Sequence, residues 1–242
     1  MRIGIFSDVH GNSEALESVI KALEKEKVDR VFCVGDLVGY GPDPERCVSR
    51  VQSCADGIVA GNHDQATTGQ ISTANFNAYA REAIEWTQTV VSTQTVEYLR
   101  HLPLSVTEDD VILVHATPEN PQAWDYILSV SDAHRSFEAL HTPICIVGHS
   151  HVPVAYVCDP ERRISVHEAN DVCIEDGKNY IINVGSVGQP RDGDPRACYG
   201  VLDTDERRFR LNRPDYPVEA VQKKMRRAGL PAYLIYRLSW GH

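Results

Sequence analysis

The sequence predicts an α/β fold, and three observations carry that expectation. Short β-rich apolar runs recur through the first 151 residues, and each ends abruptly in a polar cluster: "IGIFSDVHGN", "VFCVGDLVGYG", "GIVAGNHD", "VILVHATP" and "ICIVGHSH". A segment of helical period separates the first two runs. From about Leu104 onward, strand pairs with turn residues between them dominate.

Taken in order, "RIGIF" is the first strand. The following "SEALESVIKALEKEKV" repeats Leu16, Val19, Ile20 and Leu23 at helical spacing, and Asn12 or Ser13 can cap it. Strand, helix, strand at this spacing reads as a βαβ unit with parallel strands. "DPERCVSRVQSCA" reads as a second short helix. Residues 72 to 101 read as helical with a break near Val91-Ser92, Ala78, Ile84 and Trp86 marking an inward side. This stretch interrupts the strand series, so it is expected to be a helical cap insertion. Three hairpins follow: "LSVTEDDVILVH" turning at Glu108-Asp109, "VPVAYVCDPERRISVHEA" at Asp159-Pro160, and "RACYGVLDTDERRFRLNR" at Asp203 to Glu206. "PVEAVQKKMRRAG" is an amphipathic helix with a basic face. No repeat, low-complexity tract or linker is visible, so residues 1–242 are expected to form a single domain that contains the insertion.

Composition narrows the function. The apolar share of 42% supports a sizeable core, and no apolar run is long enough to span a bilayer. The N-terminus is interrupted by Asp8 and reads as a strand, not a signal peptide. Seven cysteines, an odd number without a CxxC pair, fit a reducing cytoplasm better than a disulfide framework. A formal net charge of −10 argues against nonspecific nucleic-acid binding.

The polar groups that end the runs are Asp8 and His10, then Asp36, then Asn62 and His63, then His115, then His149 and His151. Ligands sit at the carboxyl ends of strands in open α/β sheets, so these groups should converge. They offer oxygen and nitrogen donors and no thiolate, which suits divalent metals of the manganese, iron or zinc kind. Seven candidate ligands are too many for one ordinary site. Two metals roughly 3.5–4 Å apart would use them, clamp a phosphate and lower the pKa of a bound water. Each piece alone has an ordinary explanation: a turn at GHSH, a helix cap at Asp8, a buried hydrogen-bonded His115. All of those would have to hold together at successive strand ends.

In this order, D-x-H (Asp8, His10), G-D (Gly35, Asp36), G-N-H-D (Gly61 to Asp64), the strand-end His115 and G-H-x-H (Gly148 to His151) resemble the calcineurin-like metallophosphoesterases. The compact length and "NVGSVGQPR" (183 to 191) are similar to their small phosphodiesterase branch, which includes diadenosine-tetraphosphatase-like proteins. The resemblance implies a four-layer β-sandwich flanked by helices. It implies one metal on Asp8, His10, Asp36 and His151, and a second on Asp36, Asn62, His115 and His149, with Asp36 bridging. Manganese comes first, with iron, zinc, nickel, cobalt or magnesium as alternatives. A metal-bridging hydroxide would attack phosphorus in line, and His63 would protonate the leaving oxygen.

One departure separates the chain from the protein-phosphatase branch, which reads G-D-x-V-D-R-G after the second strand. Here the stretch is "GDLVGYG", with Gly39 at the second acidic position and Tyr40 at the arginine position. His63 then needs another orienting partner: Asp43, Asp64 or a backbone carbonyl. Arg191 is the candidate phosphate grip, and Tyr40 a second substrate-binding residue. The aromatic residues Phe76, Tyr79 and Trp86 suit stacking on a base. The expected function is hydrolysis of small phosphodiesters, nucleotides included. The alternatives are a Ser/Thr protein phosphatase and a non-catalytic scaffold. No membrane partner is expected, and a homodimer is the base-rate expectation.

Overall fold

The computed structural model describes all residues from Met1 to His242. Two six-stranded mixed sheets stack face to face. The first has the order β3-β2-β1-β11-β12-β9, built from Gly57–Ile58, Arg30–Cys33, Arg2–Phe6, Tyr199–Asp203, Arg208–Asn212 and Asp171–Cys173. The second has the order β4-β5-β6-β10-β7-β8, built from Ser105–Glu108, Val111–Val114, Ile144–Val147, Asn179–Asn183, Val154–Cys158 and Ile164–His167.

The predicted βαβ unit is present: β1 and β2 pair in parallel, with Ile5 opposite Phe32. Helix α1 (Ser13–Glu26) joins them and buries the four predicted apolar residues; Asn12 caps it by accepting from the Ala15 N–H. In the other sheet β5, β6 and β10 run parallel. The three predicted hairpins are β4-β5, β7-β8 and β11-β12, all antiparallel.

Alternation along the strands makes four layers. Ile3 and Ile5 of β1 meet Ile144 and Ile146 of β6 in a core between the sheets. The other face of the first sheet is covered by α1, α2 (Pro44–Cys54), α7 (Val218–Ala228) and α8 (Ala232–Arg237). The other face of the second sheet, carrying Cys145, Val147 and Ile181, is covered by Phe137 and Ala133 of α6 (Val130–Ala139).

The 72–101 segment forms α4 (Ala78–Val90) and α5 (Thr93–Arg100), broken at Val91-Ser92 as expected. Its inward side differs in one position. Ala78 is exposed, and Ala80, Ala83 and Ile84 are buried, because Asn77 caps the helix and leaves Ala78 in the first turn. All seven cysteines are free, five of them buried. No helix is long and apolar enough to cross a membrane.

Candidate functional site

Every polar group singled out in the sequence follows the carboxyl end of a parallel strand. Asp8 and His10 follow β1, Asp36 follows β2, and Asn62 and His63 open α3 (Asn62–Thr67) after β3. His115 follows β5, and His149 and His151 follow β6. The backbone leaves each strand sharply. Asp8, His10, Asp36, His149 and His151 all adopt positive φ, between 47° and 67°. Such conformations cost non-glycine residues about 1–2 kcal/mol each, so strain is concentrated on this one site.

The fold brings these groups together in two clusters that share a residue. Ligand atoms of Asp8, His10, Asp36 and His151 lie within 4.8 Å of one another, and so do those of Asp36, His115 and His149. Asp36 belongs to both. Its Oδ1 accepts from the His63 N–H at 2.9 Å, while Oδ2 lies 3.5 Å from His10 Nε2 and 3.3 Å from His115 Nε2. Asp8 Oδ2 accepts from the His149 N–H at 3.1 Å, and Asp8 Oδ1 lies 3.1 Å from His151 Nε2. All are buried.

The hydrogen bonds behind the cluster decide what it can hold. His10 Nδ1 donates to Val38 O at 3.0 Å, His115 Nδ1 to Val34 O at 2.7 Å, and His151 Nδ1 to Gln189 O at 2.6 Å. Each backbone carbonyl takes the Nδ1 proton, so Nε2 of each ring is turned toward the carboxylates and offers them a lone pair when it carries no second proton. His149 is reversed: its Nε2 donates to Trp124 O at 2.9 Å, which frees Nδ1. His10 Nε2 and His151 Nε2 face each other at 3.1 Å. Asp8 Oδ1, Asn62 Oδ1 and His115 Nε2 are buried without partners. Lone pairs and carboxylates aimed at one another repel unless a cation lies among them. The donor set therefore fits divalent metal.

The electrostatics agree. Burial opposes the charged form of Asp8, but His151, His10 and His115 outweigh it and hold its carboxyl well below the usual range. Asp36 is also held low, burial being overcome by His115 and His63. His115 is pushed up to about 10, because the charge of Asp36 overcomes burial. A proton there takes the place of a cation. Burial pushes His149 down to about 4 and His151 down to about 3.

His63 stands beside the clusters, its ring centroid 4.8 Å from that of His10 and 4.5 Å from that of Tyr40. Burial holds its pKa well below the ordinary value. None of the three orienting partners suggested by the sequence serves it, for Nδ1 has no hydrogen-bond partner. Asp64 accepts instead from the Leu37, Val38 and Gly61 N–H groups, and Asp43 is taken by Ser13 and Lys224. The ring is held by shape. A Cβ on Gly39 would lie 2.4 Å from His63 Nδ1, and Phe76 meets the ring edge-on at 5.2 Å. The missing acidic side chain at position 39 is the space that His63 occupies.

Tyr40 is buried, and its hydroxyl accepts from Arg191 Nη2 at 3.4 Å. Arg191 lies on the loop 183–191, which is stitched to both ligand turns. The Gly188 N–H donates to Asp8 O, Ser186 Oγ donates to Asp8 O, and the Arg191 N–H donates to His151 O. A cavity of about 490 Å³ opens beside His63, His149 and Asn62, walled by Phe76 and Trp124. Sequence reasoning missed Trp124 and Tyr126, although two aromatics in the loop after His115 were a visible signal. Tyr126 stacks on His149 at 4.0 Å. Tyr79 and Trp86 do not line this cavity; Trp86 packs against the helical core. A larger hollow of about 950 Å³ lies at the opposite end of the sheets, near Met1 and Asp109, and holds none of the strand-end groups.

The calcineurin-like phosphoesterase superfamily domain matches residues 1–207. The chain belongs to that superfamily. It is 35% identical, over 99% of its length and 98% of the relative's, to an uncharacterized protein of Methanocaldococcus jannaschii. A metallophosphoesterase structure from Sphaerobacter thermophilus superposes with a TM-score of 0.88 at 40% identity, covering 100% of this chain and 99% of that one. A hypothetical protein of Pyrococcus horikoshii OT3 shares the fold, with a TM-score of 0.80 at 17% identity over 100% and 98% of the two chains. Superfamily membership and the Asp/His clusters together point to a metal-binding hydrolase.

Proposed function

We propose that this chain is a dinuclear metal-dependent phosphodiesterase acting on small phosphate esters. The observation that carries the reading is the buried convergence of bare imidazole nitrogens on Asp8 and Asp36, in two groups joined by Asp36. Asp8, His10, Asp36 and His151 would hold one divalent ion; Asp36, Asn62, His115 and His149 would hold the other, manganese being the first candidate. Such ions, when bound, neutralise phosphate oxygens and lower the pKa of water.

The chain's own residues do the rest. Backbone carbonyls of Val38, Val34 and Gln189 fix the ring tautomers before any ligand arrives. Arg191 and Tyr40 grip a phosphate oxygen from the His10 side. Tyr126, stacked on His149, shields that ring from water. His63 protonates the leaving oxygen. Burial keeps it neutral in the free protein, so it takes up its proton only when an anionic substrate lies beside it. A protein-phosphatase arrangement is disfavoured, because a side chain at position 39 would collide with the His63 ring. Seven free cysteines support a reducing compartment, and we place the protein in the cytoplasm, monomer or homodimer.

The test is hydrolysis of bis(p-nitrophenyl) phosphate by metal-stripped protein with and without added Mn²⁺, beside Asp36→Asn. The reading expects turnover that needs metal and falls by at least about a hundredfold in the variant. Folded, metal-loaded protein that hydrolyses phosphopeptides but not diesters would point to the phosphatase alternative. No turnover on either would point to a scaffold.

A further inference from the structure

Three of the four cluster histidines are fixed by carbonyls of the core, for Val34, Val38 and Gln189 are all buried. His149 is the exception. Its Nε2 donates to the carbonyl of Trp124, on the loop 115–129 that joins β5 to α6. From Pro121 to Tyr126 this is the only hydrogen bond that leaves the loop. Tyr126 adds a second contact, its ring stacked on the His149 imidazole with 14° between the planes. Yet this stretch faces solvent: Gln122, Ala123 and Asp125 are exposed, and so is Tyr126, at 45%. A solvent-facing segment therefore holds a candidate metal ligand that the core leaves free to turn.

A strained turn presents that carbonyl. Trp124 follows the short 3₁₀ turn Pro121–Ala123 and adopts φ 59°, ψ 32°, the left-handed region, which a bulky side chain rarely occupies. An extended residue at this position would rotate the carbonyl away from His149. Strain kept at a residue whose carbonyl meets a metal-ligand candidate is strain kept for a purpose. The loop is tied down on either side of this stretch: Glu119 accepts from Ser136 of α6, and Ile127 is buried beside Phe137 and Tyr156. The Trp124 indole approaches His115 edge-on, with ring centroids 6.0 Å apart. Gln122, Trp124 and Tyr126 also border the cavity that holds His63, so the segment that fixes His149 is one wall of the space where a leaving group would lie.

We infer that Trp124 and Tyr126 are positioning residues for His149, and that the loop 115–129 controls one metal of the pair. The ion on Asp36, Asn62, His115 and His149 is held tightly only while the loop is docked; the ion on Asp8, His10, Asp36 and His151 does not depend on it. This rests on the dinuclear reading above.

The test is titration of metal-free protein with Mn²⁺, followed by calorimetry and by electron paramagnetic resonance, which separates a lone ion from a coupled pair. Trp124→Val and Trp124→Gly both remove the indole, but only glycine keeps the left-handed turn without a steric cost. Trp124→Val should weaken the loop-dependent ion by about ten- to a hundredfold and leave the other within about threefold. Trp124→Gly should keep both within about threefold of the unmodified chain. Tyr126→Ala should weaken the loop-dependent ion by about three- to tenfold, and Tyr126→Phe, which keeps the stack, should restore it. In metal-free protein the ¹⁵N shifts of His149, assigned with His149→Gln, should show Nε2 protonated in the unmodified chain and a mixture of tautomers in Trp124→Val. Thermal melts separate a displaced loop from a lost fold. Undiminished affinity in Trp124→Val, or equal losses in the valine and glycine variants, overturns the inference. A single ion bound by the unmodified chain would refute the dinuclear reading instead. The His149 tautomer would then decide the positioning role, which stands if Trp124→Val disturbs it and falls if it does not.

Discussion

Replacing Gly39 by alanine puts one methyl group where the His63 ring stands. Its Cβ would lie 2.4 Å from Nδ1, 3.1 Å from Cγ and 3.2 Å from Cβ of that ring. Ordinary carbon contacts begin near 3.5 Å, so the ring must move by about 1 Å. It has nowhere easy to go, being bounded by Tyr40, His10 and Phe76. Overpacking of this kind costs about 1–3 kcal/mol. The φ of +84° at Gly39 adds about 1–2 kcal/mol for any residue with a Cβ. The sum, about 2–5 kcal/mol, corresponds to a fall in Tm of about 5–15 °C for a chain of this size. A proton donor displaced by about 1 Å should also lower kcat by about a hundredfold. The assay is a double-mutant cycle with His63→Ala, reading Tm and kcat on bis(p-nitrophenyl) phosphate. In the His63→Ala background the clash is gone, so only the backbone cost of about 1–2 kcal/mol should remain. Equal destabilisation in both backgrounds would show that the ring is not what Gly39 accommodates. A Gly39→Ala enzyme with undiminished kcat would remove His63 from proton transfer.

Other predictions follow from the same structure. Metal affinity should rise about tenfold per pH unit between pH 6 and 8, because the cation displaces a proton from His115, held up to about 10, whereas His149 and His151, at about 4 and 3, have already lost theirs. Calorimetry in buffers of different ionisation heat should count that proton, and a count of zero refutes the assignment. Ile146→Ala, between the sheets, should cost about 2–5 kcal/mol in chemical denaturation, and a cost under about 1 kcal/mol would mean that the sheets do not pack there. Under native conditions iodoacetamide should label Cys173 first, since it is exposed while burial raises the Cys33 and Cys47 thiols. Peptide mass spectrometry reads the order, and early labelling of Cys33 would contradict the packing.

Much of the site was legible because its residues follow apolar runs directly. Asp8, Asp36, His115 and the GHSH histidines each sit within four residues of the strand end they follow, where period and polarity change together. What lay outside local pattern was harder to read. Helix α6 offers only Ala133 and Phe137 as a buried apolar pair, too few to set a period. Helix α8 has six residues, under two turns. Strand β10 carries only the three-residue apolar run Tyr180 to Ile182, too short to show a period, directly before the loop 183–191. His63 itself was legible, but its being held by shape was not, since an absent side chain at Gly39 leaves no positive signal in a sequence.

The place of β1 has a consequence for how the chain is assembled. β1 lies between β2 and β11, and Ile3 pairs with Leu202 almost the whole chain away. During synthesis, the ligands up to His151 leave the ribosome well before the strand that completes their sheet. The first sheet can close only after Tyr199 to Asp203 emerge. Until then β1 offers an open edge beside a full set of candidate metal ligands. Closing so long a loop is slow, and the open edge is the species most exposed to aggregation. Slow refolding, with native metal affinity appearing in the last phase, is the kinetic signature of this order of strands.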